Sequence, residues 1–207
     1  MVKCSPRIET GTGEGYAFLR AHNHWLDRRG EVLMEEVQEL RFHDRPASGR
    51  FIDFITTFKA TRGDVRFGDD KEGLLAFRIR PDIQGNRAGV LTNDRGDQGE
   101  NRVYGVRSRW MDYAGPIEGH GVRGIAVFDH PSNFRHPTSW HVRDYGLAAA
   151  NPFGLRSVAG EDEDGSHTLT EGESLRFIYR IYVHCGDHEQ ARVGEHYKAF
   201  AEMSFDD

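Results

Sequence analysis

The 207-residue chain has few cysteines, which excludes two kinds of small scaffold. Its 2 cysteines, Cys4 and Cys185, lie near opposite ends of the sequence. Two residues so far apart make neither a disulfide framework nor a zinc knuckle, both of which need several cysteines at close spacing. We therefore expect both to be free thiols.

Long hydrophobic runs are also missing. No stretch reaches the roughly 18 apolar residues of a membrane-spanning helix, and residues 1–6 lack the apolar segment of a signal peptide. The sequence as written therefore predicts a cytoplasmic protein with no membrane partner.

A basic stripe is missing as well. The formal net charge is -6 and no run of Lys or Arg occurs, whereas binding to a phosphate backbone needs clustered positive charge. We therefore expect no nucleic-acid partner. The phosphate-binding glycine loop, the dinucleotide fingerprint and the Gly-x-Ser-x-Gly motif are absent too, which removes the main support for nucleotidase, dehydrogenase and serine hydrolase functions.

Alternating apolar residues are the main structural signal in the sequence. The pattern is clearest over residues 175–184, where Leu175, Phe177, Tyr179, Ile181 and Val183 share one face of a predicted strand. The other face is mixed and suits a wet groove or a second sheet layer more than open solvent. Further strands are predicted at residues 16–20, 32–42, 51–59, 74–80, 102–113, 121–130 and 141–148.

One helix is predicted, over residues 187–203, with Val193, Tyr197, Phe200 and Ala201 on one side. Together these elements predict a mostly β protein, an antiparallel β-sandwich with a C-terminal helix. We expect one domain over residues 15–207, after a poorly ordered or non-native start at residues 1–14.

Titratable and hydrogen-bonding side chains are concentrated in residues 120–151, which hold four of the 11 histidines. An imidazole can act as acid or base near neutral pH, so His130, His136 and His141 are candidate catalytic groups. Asp129 or Asp144 would orient the histidine. The candidate substrate-binding residues are Asn133, Arg135, Arg143, Trp110, Trp140, Tyr145 and Asn151.

A tryptophan beside Arg, His, Asp and Asn is the set of side chains that proteins use for sugars, since the ring covers the C–H face and polar groups read hydroxyls. The alternative interpretation is structural. In it, Asp129 and Asp144 hold turns, the histidines satisfy backbone carbonyls, and Trp140 belongs to the core.

A pair of histidines, His22 and His24, is a weaker candidate for a metal site. On a strand the two side chains point to the same face, which is how many β-sheet metal sites begin. The next acids, Asp27 and Glu31, miss the spacing of the cupin motif. We therefore predict no cofactor, with His22 and His24 as the only metal alternative.

Residues 110–185 contain a long segment that resembles a known family. The central motif is GIAVFDHPSN at residues 124–133, followed by RHP at 135–137, WHVRDYG at 140–146 and NPFG at 151–154. It resembles a bacterial family of unknown function that is usually labelled PmoA-like, or methane oxygenase. The resemblance extends over roughly residues 15–205, but residues 1–13 do not match the paired-histidine region that such proteins carry upstream.

The resemblance implies a β-sandwich similar to the galactose-mutarotase-like supersandwich, a scaffold associated with binding or transforming carbohydrates. We therefore expect a small-molecule carbohydrate partner and an acid–base enzyme of the hydrolase, lyase or epimerase type that acts on a sugar or keto-sugar. Two alternatives remain open: a non-catalytic carbohydrate-binding β-sandwich, and a metal-dependent oxygenase as the family label suggests. The oligomeric state is not predicted.

Overall fold

The computed structural model describes residues 2–44 and 49–205, except for the side chains of residues 4–7. Cys185 is a free, exposed thiol as predicted, whereas the thiol of Cys4 lies outside the described side chains. No helix in this part of the chain is long and apolar enough to cross a membrane.

Strands dominate the described residues. In chain order the elements are β1 (Val2–Gly13), β2 (Tyr16–Leu26), β3 (Val32–His43), β4 (Gly49–Ala60), β5 (Val65–Phe67), β6 (Leu75–Arg78), β7 (Val90–Asn93), α1 (Glu100–Val103), β8 (Trp110–Ile117), β9 (Gly121–Asp129), β10 (Ser139–Arg143), β11 (Leu147–Asn151), β12 (His167–Leu169), β13 (Ser174–Cys185) and α2 (Val193–Ala201). A short 3-10 turn, Pro81–Ile83, precedes β7.

The main layer is an eight-stranded sheet with the strand order β1-β2-β3-β4-β13-β9-β8-β7. All of its pairs are antiparallel. Two smaller sheets, β10-β11-β6 and β12-β5, form the second layer. The predicted antiparallel β-sandwich with a C-terminal helix is therefore confirmed.

The main sheet is buried on both faces near its centre. We call the face toward the smaller sheets the inner face; there Val127 and Phe177 pack with Trp140 and Val142 of β10. On the outer face, Ala126 and Phe128 pack against α2. Successive side chains of β9 thus enter two different cores, because neighbours on a strand point to opposite faces.

The last long strand, β13, shows the same division. Phe177 and Tyr179 are fully buried on the inner face, as the alternation predicts, but Val183 on the same face is 41% exposed. The mixed outer face is also buried, since α2 and the following residues cover Ile178 and Tyr182. The layer that covers this face is the helix α2, so the expected wet groove or second sheet layer was wrong.

Helix α2 begins later than the sequence predicts. Residues 187–192 form a turn in which Asp187 Oδ1 accepts the N–H groups of Glu189 and Gln190. Arg192 then has a left-handed backbone with φ 52°, so the regular helix starts at Val193. The predicted apolar side is confirmed, because Val193, Tyr197 and Phe200 are buried against the outer face.

Two predicted strands were wrong in extent. Residues 102–113 contain the end of α1 and a loop, and a strand starts only at Trp110. Residues 141–148 cross a turn at Gly146, where φ is 86°, so they belong to the two strands of a hairpin. The ambiguous residues 32–42 form β3 as predicted. In the start that was expected to be poorly ordered, Val2–Gly13 pairs with β2 as an edge strand.

Gly124 provides a test of how tightly the outer face is packed. A Cβ atom there would lie 2.2 Å from Cε1 of the buried His184 ring. We expect Gly124→Ala to lower the free energy of unfolding by about 2 kcal/mol, as overpacking of a dense core does. Denaturant titration would measure the loss. The control is Gly68→Ala, where nothing lies within 4 Å of the added atom, and an equal effect of both would contradict the packing argument.

Candidate functional site

Asp129, at the end of β9, holds the turn between β9 and β10. Its fully buried carboxylate accepts hydrogen bonds from Asn133 Nδ2 at 2.8 Å, His136 Nδ1 at 2.9 Å and the Thr138 N–H at 2.8 Å. Asn133 also donates to the Ile178 carbonyl and accepts the Ile178 N–H, both at 2.7 Å. The structure therefore brings Asp129, Asn133 and His136 together, in an arrangement that ties the turn to β13.

His136 is the predicted histidine best placed for acid–base chemistry. Its Nδ1–H faces the Asp129 carboxylate, and its side chain is 17% exposed. Within the described residues Nε2 has no hydrogen-bond partner. A buried carboxylate that orients an imidazole and leaves the second nitrogen available is the arrangement of a general base.

His130 faces the opposite side of the sheet. Its Nδ1 accepts the Ser132 N–H at 3.2 Å, and its Nε2 lies 3.2 Å from the Met203 carbonyl. A carbonyl can only accept, so Nε2 carries a proton. Because Nδ1 accepts the Ser132 N–H, it carries none, and the ring is therefore neutral. Burial lowers the pKa of His130, more than the bond to Met203 raises it.

His141 and Asn151 hold the loop that precedes β6. The His141 Nδ1–H donates to the Lys71 carbonyl at 2.8 Å, and Asn151 Nδ2 donates to the Asp70 carbonyl at 2.8 Å. Asn151 Oδ1 also accepts the Phe153 N–H. The described contacts give no hydrogen bond between His141 and the Asp129 group, so the predicted catalytic histidines do not form one constellation.

The predicted arginines and Asp144 also have structural partners. Arg135 donates to the carbonyls of Pro152 and Gly165. Arg143 pairs with Glu100 at 2.8 Å, and Glu100 accepts the Asp144 N–H at 2.7 Å. Burial alone would raise the pKa of Glu100, but these two partners outweigh it and lower that pKa.

The prediction that Trp140 stacks on a ligand is wrong. Trp140 is 0% exposed and its indole N–H donates to the Ser108 carbonyl at 2.8 Å, so it is a core residue. Trp110 is 6% exposed and packs in the core beneath α2. Tyr145, by contrast, is 48% exposed with the guanidinium of Arg78 over its ring at 5.1 Å.

The paired histidines of β2 have no third metal-ligating side chain grouped with them among the described residues. His22 Nε2 lies 3.6 Å from a Glu9 oxygen, and His22 and His24 share the outer face, as their spacing predicts. Among the side chains that the structure describes, no three of His, Cys, Asp or Glu are grouped so that they could hold a metal ion.

The structure contains a cleft that the sequence reasoning missed. We call it the inter-sheet cleft; it has a volume of about 450 Å³ and lies between the inner face of β2–β4 and residues 72–74. Its lining consists of Val2, Asn23, Trp25, Glu36, Gln38, Phe54, Thr56, Phe58, Phe67, Glu72, Gly73, Leu74 and Phe153. The loop held by His141 and Asn151 continues directly into residues 72–74 at the rim of the cleft. These two predicted residues therefore support the cleft through that loop and do not line it.

The Glu36 carboxylate is held in the cleft by three hydrogen bonds. Its Oε2 accepts Asn23 Nδ2 at 3.2 Å and Trp25 Nε1 at 3.0 Å, and its Oε1 accepts the Thr56 hydroxyl at 2.7 Å. The three donors come from strands β2 and β4 on either side of β3. The carboxylate is therefore fixed in position, and one of its roughly four lone-pair positions remains for a ligand.

Aromatic rings form the apolar part of the cleft. Trp25 meets Phe58 edge-to-face at 5.9 Å, Phe58 meets Phe67 at 5.8 Å, and Phe67 stacks on Phe153 at 4.8 Å. These contacts support one another and keep the ring faces and edges in place. The cleft thus combines a preorganised carboxylate with a rigid aromatic wall.

Strand parity alone could have pointed to these residues. Asn23 and Trp25 alternate with His22 and His24, and Glu36 follows Glu35, so each belongs to the face opposite its more conspicuous neighbour. Glu36 is 6% exposed. A buried carboxylate in an otherwise amphipathic strand is a stronger indication of a site than a dense group of histidines in a turn.

The chain belongs to a family of unknown function, DUF6807, whose model matches residues 7–198. No curated protein matches the chain.

Asp129→Asn tests the structural role of the turn. The amide has only one acceptor oxygen, so at least one buried donor among Asn133, His136 and Thr138 would lose its partner. We expect the free energy of unfolding to fall by about 2 kcal/mol, measured by urea titration. The exposed Asp82→Asn should change it by less than about 0.5 kcal/mol, and a similarly small effect of Asp129→Asn would contradict the role assigned to the carboxylate.

The lowered pKa of His130 predicts a pH dependence of stability. Because the pKa of the folded state lies below the unfolded value near 6.5, the unfolded chain binds more protons once the pH falls below that value. Stability should therefore decrease on acidification below about pH 6.5. We expect His130→Gln to flatten this decrease in denaturant titrations, while His120→Gln, an exposed control, leaves it unchanged; equal slopes for all three proteins would contradict the prediction.

Proposed function

We propose that this member of a family of unknown function binds a carbohydrate in the inter-sheet cleft. The observation that carries the proposal is the Glu36 carboxylate, fixed by three donors beside a wall of aromatic rings. Sugars present hydroxyl groups at their edges and C–H groups on their faces, so a site for them needs fixed polar groups next to apolar rings.

The polar groups are suited to pairs of hydroxyls. Glu36 supplies a charged acceptor, the side chain of Gln38 supplies both a donor and an acceptor, and Glu72 adds a second carboxylate at the rim. The volume of about 450 Å³ lies in the range of small-molecule sites. A mono- or disaccharide is the ligand class that uses both kinds of surface.

The resemblance of residues 124–154 to PmoA-like proteins supports the same ligand class. We propose that the sandwich is related to the galactose-mutarotase-like supersandwich proteins, a relationship that rests on that resemblance and on the antiparallel sandwich architecture. Since one fold serves many functions, the cleft carries more of the argument than the architecture does.

A second candidate function, acid–base catalysis on a sugar or keto-sugar, is favoured by the pair of His136 and Asp129. The carboxylate would orient the imidazole, and Nε2 would exchange a proton with the substrate. His136 does not belong to the lining of the inter-sheet cleft. Binding in the cleft is therefore the leading proposal, and catalysis the alternative.

Binding is tested by calorimetric titration with glucose, galactose, a 3-keto-glucoside and their common disaccharides. We expect saturable binding of at least one sugar, weakened about tenfold or more by Gln38→Ala, since a tenfold change corresponds to about 1.4 kcal/mol. Phe54→Ala should weaken it through the apolar wall. Gln84→Ala removes an amide outside this cleft and is the control. Binding that Gln38→Ala and Phe54→Ala both leave unchanged, or no binding of any sugar, would refute the proposal.

Catalysis is tested with the same sugars by following product formation against pH. We expect pH-dependent product formation from at least one sugar, and a loss of 100-fold or more in kcat in His136→Gln, on the order of a general base. His120→Gln is the matched control. Sugar binding without any chemical change would favour the binding function alone.

A further inference from the structure

A second cleft lies on the outer face of the main sheet, away from the inter-sheet cleft. We call it the outer cleft; it has a volume of about 410 Å³ and is formed by β7, β8 and the turn before α2. Its lining consists of Ala88, Val90, Thr92, Gln98, Asp112, Ala114, Gly115, Pro116, Val122, Asp187, His188 and Glu189. Neither the carbohydrate proposal nor the His136 pair uses any of these residues.

Asp112 is the unusual group in this lining. It is 1% exposed, and its Oδ1 lies 2.8 Å from His184 Nε2. Its Oδ2 is buried and has no hydrogen-bond partner among the described residues. Burying a carboxylate oxygen without a hydrogen-bond donor is unfavourable in free energy, so a donor that enters the cleft and binds Oδ2 would stabilise it.

The protein holds Asp112 in this position. The His184 ring is fully buried, its Nδ1 lies 3.2 Å from the Gly186 carbonyl, and it occupies the space above Gly124. Because the ring is fixed at both nitrogens, Asp112 keeps Oδ1 on His184 and directs Oδ2 elsewhere. The unpaired oxygen is therefore a consequence of the packing.

The charge of the lining indicates what kind of donor fits. Two further carboxylates, Asp187 and Glu189, line the cleft, and none of its lining residues is Lys or Arg. The one imidazole, that of His188, lies beside the Trp110 ring at 6.1 Å. The local field thus favours a cation over a neutral or anionic ligand.

Apart from Thr92 and Gln98, the rest of the lining is apolar or glycine. Val90, Ala114, Pro116 and Val122 provide hydrocarbon contacts on the strand side of the cleft. A hydrated metal ion would make no favourable contact with this apolar surface, and the described residues contain no cluster of metal-ligating side chains. The lining is instead matched to a ligand with a charged nitrogen at one end and a hydrocarbon body.

We propose that the outer cleft binds a small organic ammonium ion, a primary amine whose N–H donates to Asp112 Oδ2 and whose hydrocarbon part packs against Val90 and Ala114. Asp187 and Glu189 add long-range attraction at the mouth. The site lies on the opposite face of the sheet from the inter-sheet cleft and is independent of the carbohydrate proposal.

The electrostatics of Asp112 agree with this site. Burial raises the pKa of its carboxyl, and the bond from His184 lowers that pKa by less. A cation at Oδ2 would favour the ionised carboxylate and offset the effect of burial. The ligand would thus supply the hydrogen-bond donor that Oδ2 lacks among the described residues.

The test is calorimetric or NMR titration of the full chain with cyclohexylammonium chloride, and with cyclohexanol as a matched neutral probe. We expect saturable binding of cyclohexylammonium at least tenfold tighter than that of cyclohexanol. Asp112→Asn should weaken it at least tenfold, because the amide carries no charge. Asp82→Asn removes an exposed carboxylate outside the outer-cleft lining and should leave binding unchanged.

A second variant keeps the test decisive if Asp112→Asn fails to fold. Ala114→Leu places a larger side chain in the outer cleft and leaves the Asp112 carboxylate unchanged. Because it occupies the space of the ligand's hydrocarbon part, it should also abolish saturable binding. The proposal is overturned by equal affinity for the amine and the alcohol, by retained affinity in either variant, or by the absence of saturable amine binding, which would mean that water alone satisfies Oδ2.

Discussion

The burial of the central strands on both faces is the constraint on which the structure depends. Strands β9 and β13 have the smaller sheets on one side and α2 on the other. Water cannot reach most polar groups there, so each must find a partner within the protein. This explains why polar side chains in these strands occur as pairs and small networks.

Asp53 and Asp112 illustrate two solutions to that constraint. Asp53 receives two bonds from Arg180 and lies 2.6 Å from His43; burial would raise its pKa, but these partners outweigh burial and lower it. Among the described residues Asp112 has only His184 as a hydrogen-bond partner, and burial raises its pKa more than that bond lowers it. The same residue type thus becomes a satisfied structural ion in one case and a group with an open oxygen in the other.

The dense group of histidines and arginines in residues 120–151 is explained mainly by structure. Asp129 closes a turn, and His141 and Asn151 hold a loop. Arg135 donates to the carbonyls of Pro152 and Gly165. These long connections need many side-chain hydrogen bonds because they have few backbone partners of their own. Within the structure, His141 and Asn151 therefore hold the loop that continues into residues 72–74 of the inter-sheet cleft.

The sequence by itself determined the β architecture, the inner face of β13 and the apolar side of α2, because alternation and helical periodicity are local properties of the chain. It did not determine that residues 141–148 cross a hairpin turn, or that Trp140 is enclosed. Only the tertiary structure determined where the two clefts form and which residues line them. Glu36 meets Asn23, Trp25 and Thr56 across three strands, and Asp112 is left with one partner, because sheet pairing and layer packing select neighbours that are far apart in sequence.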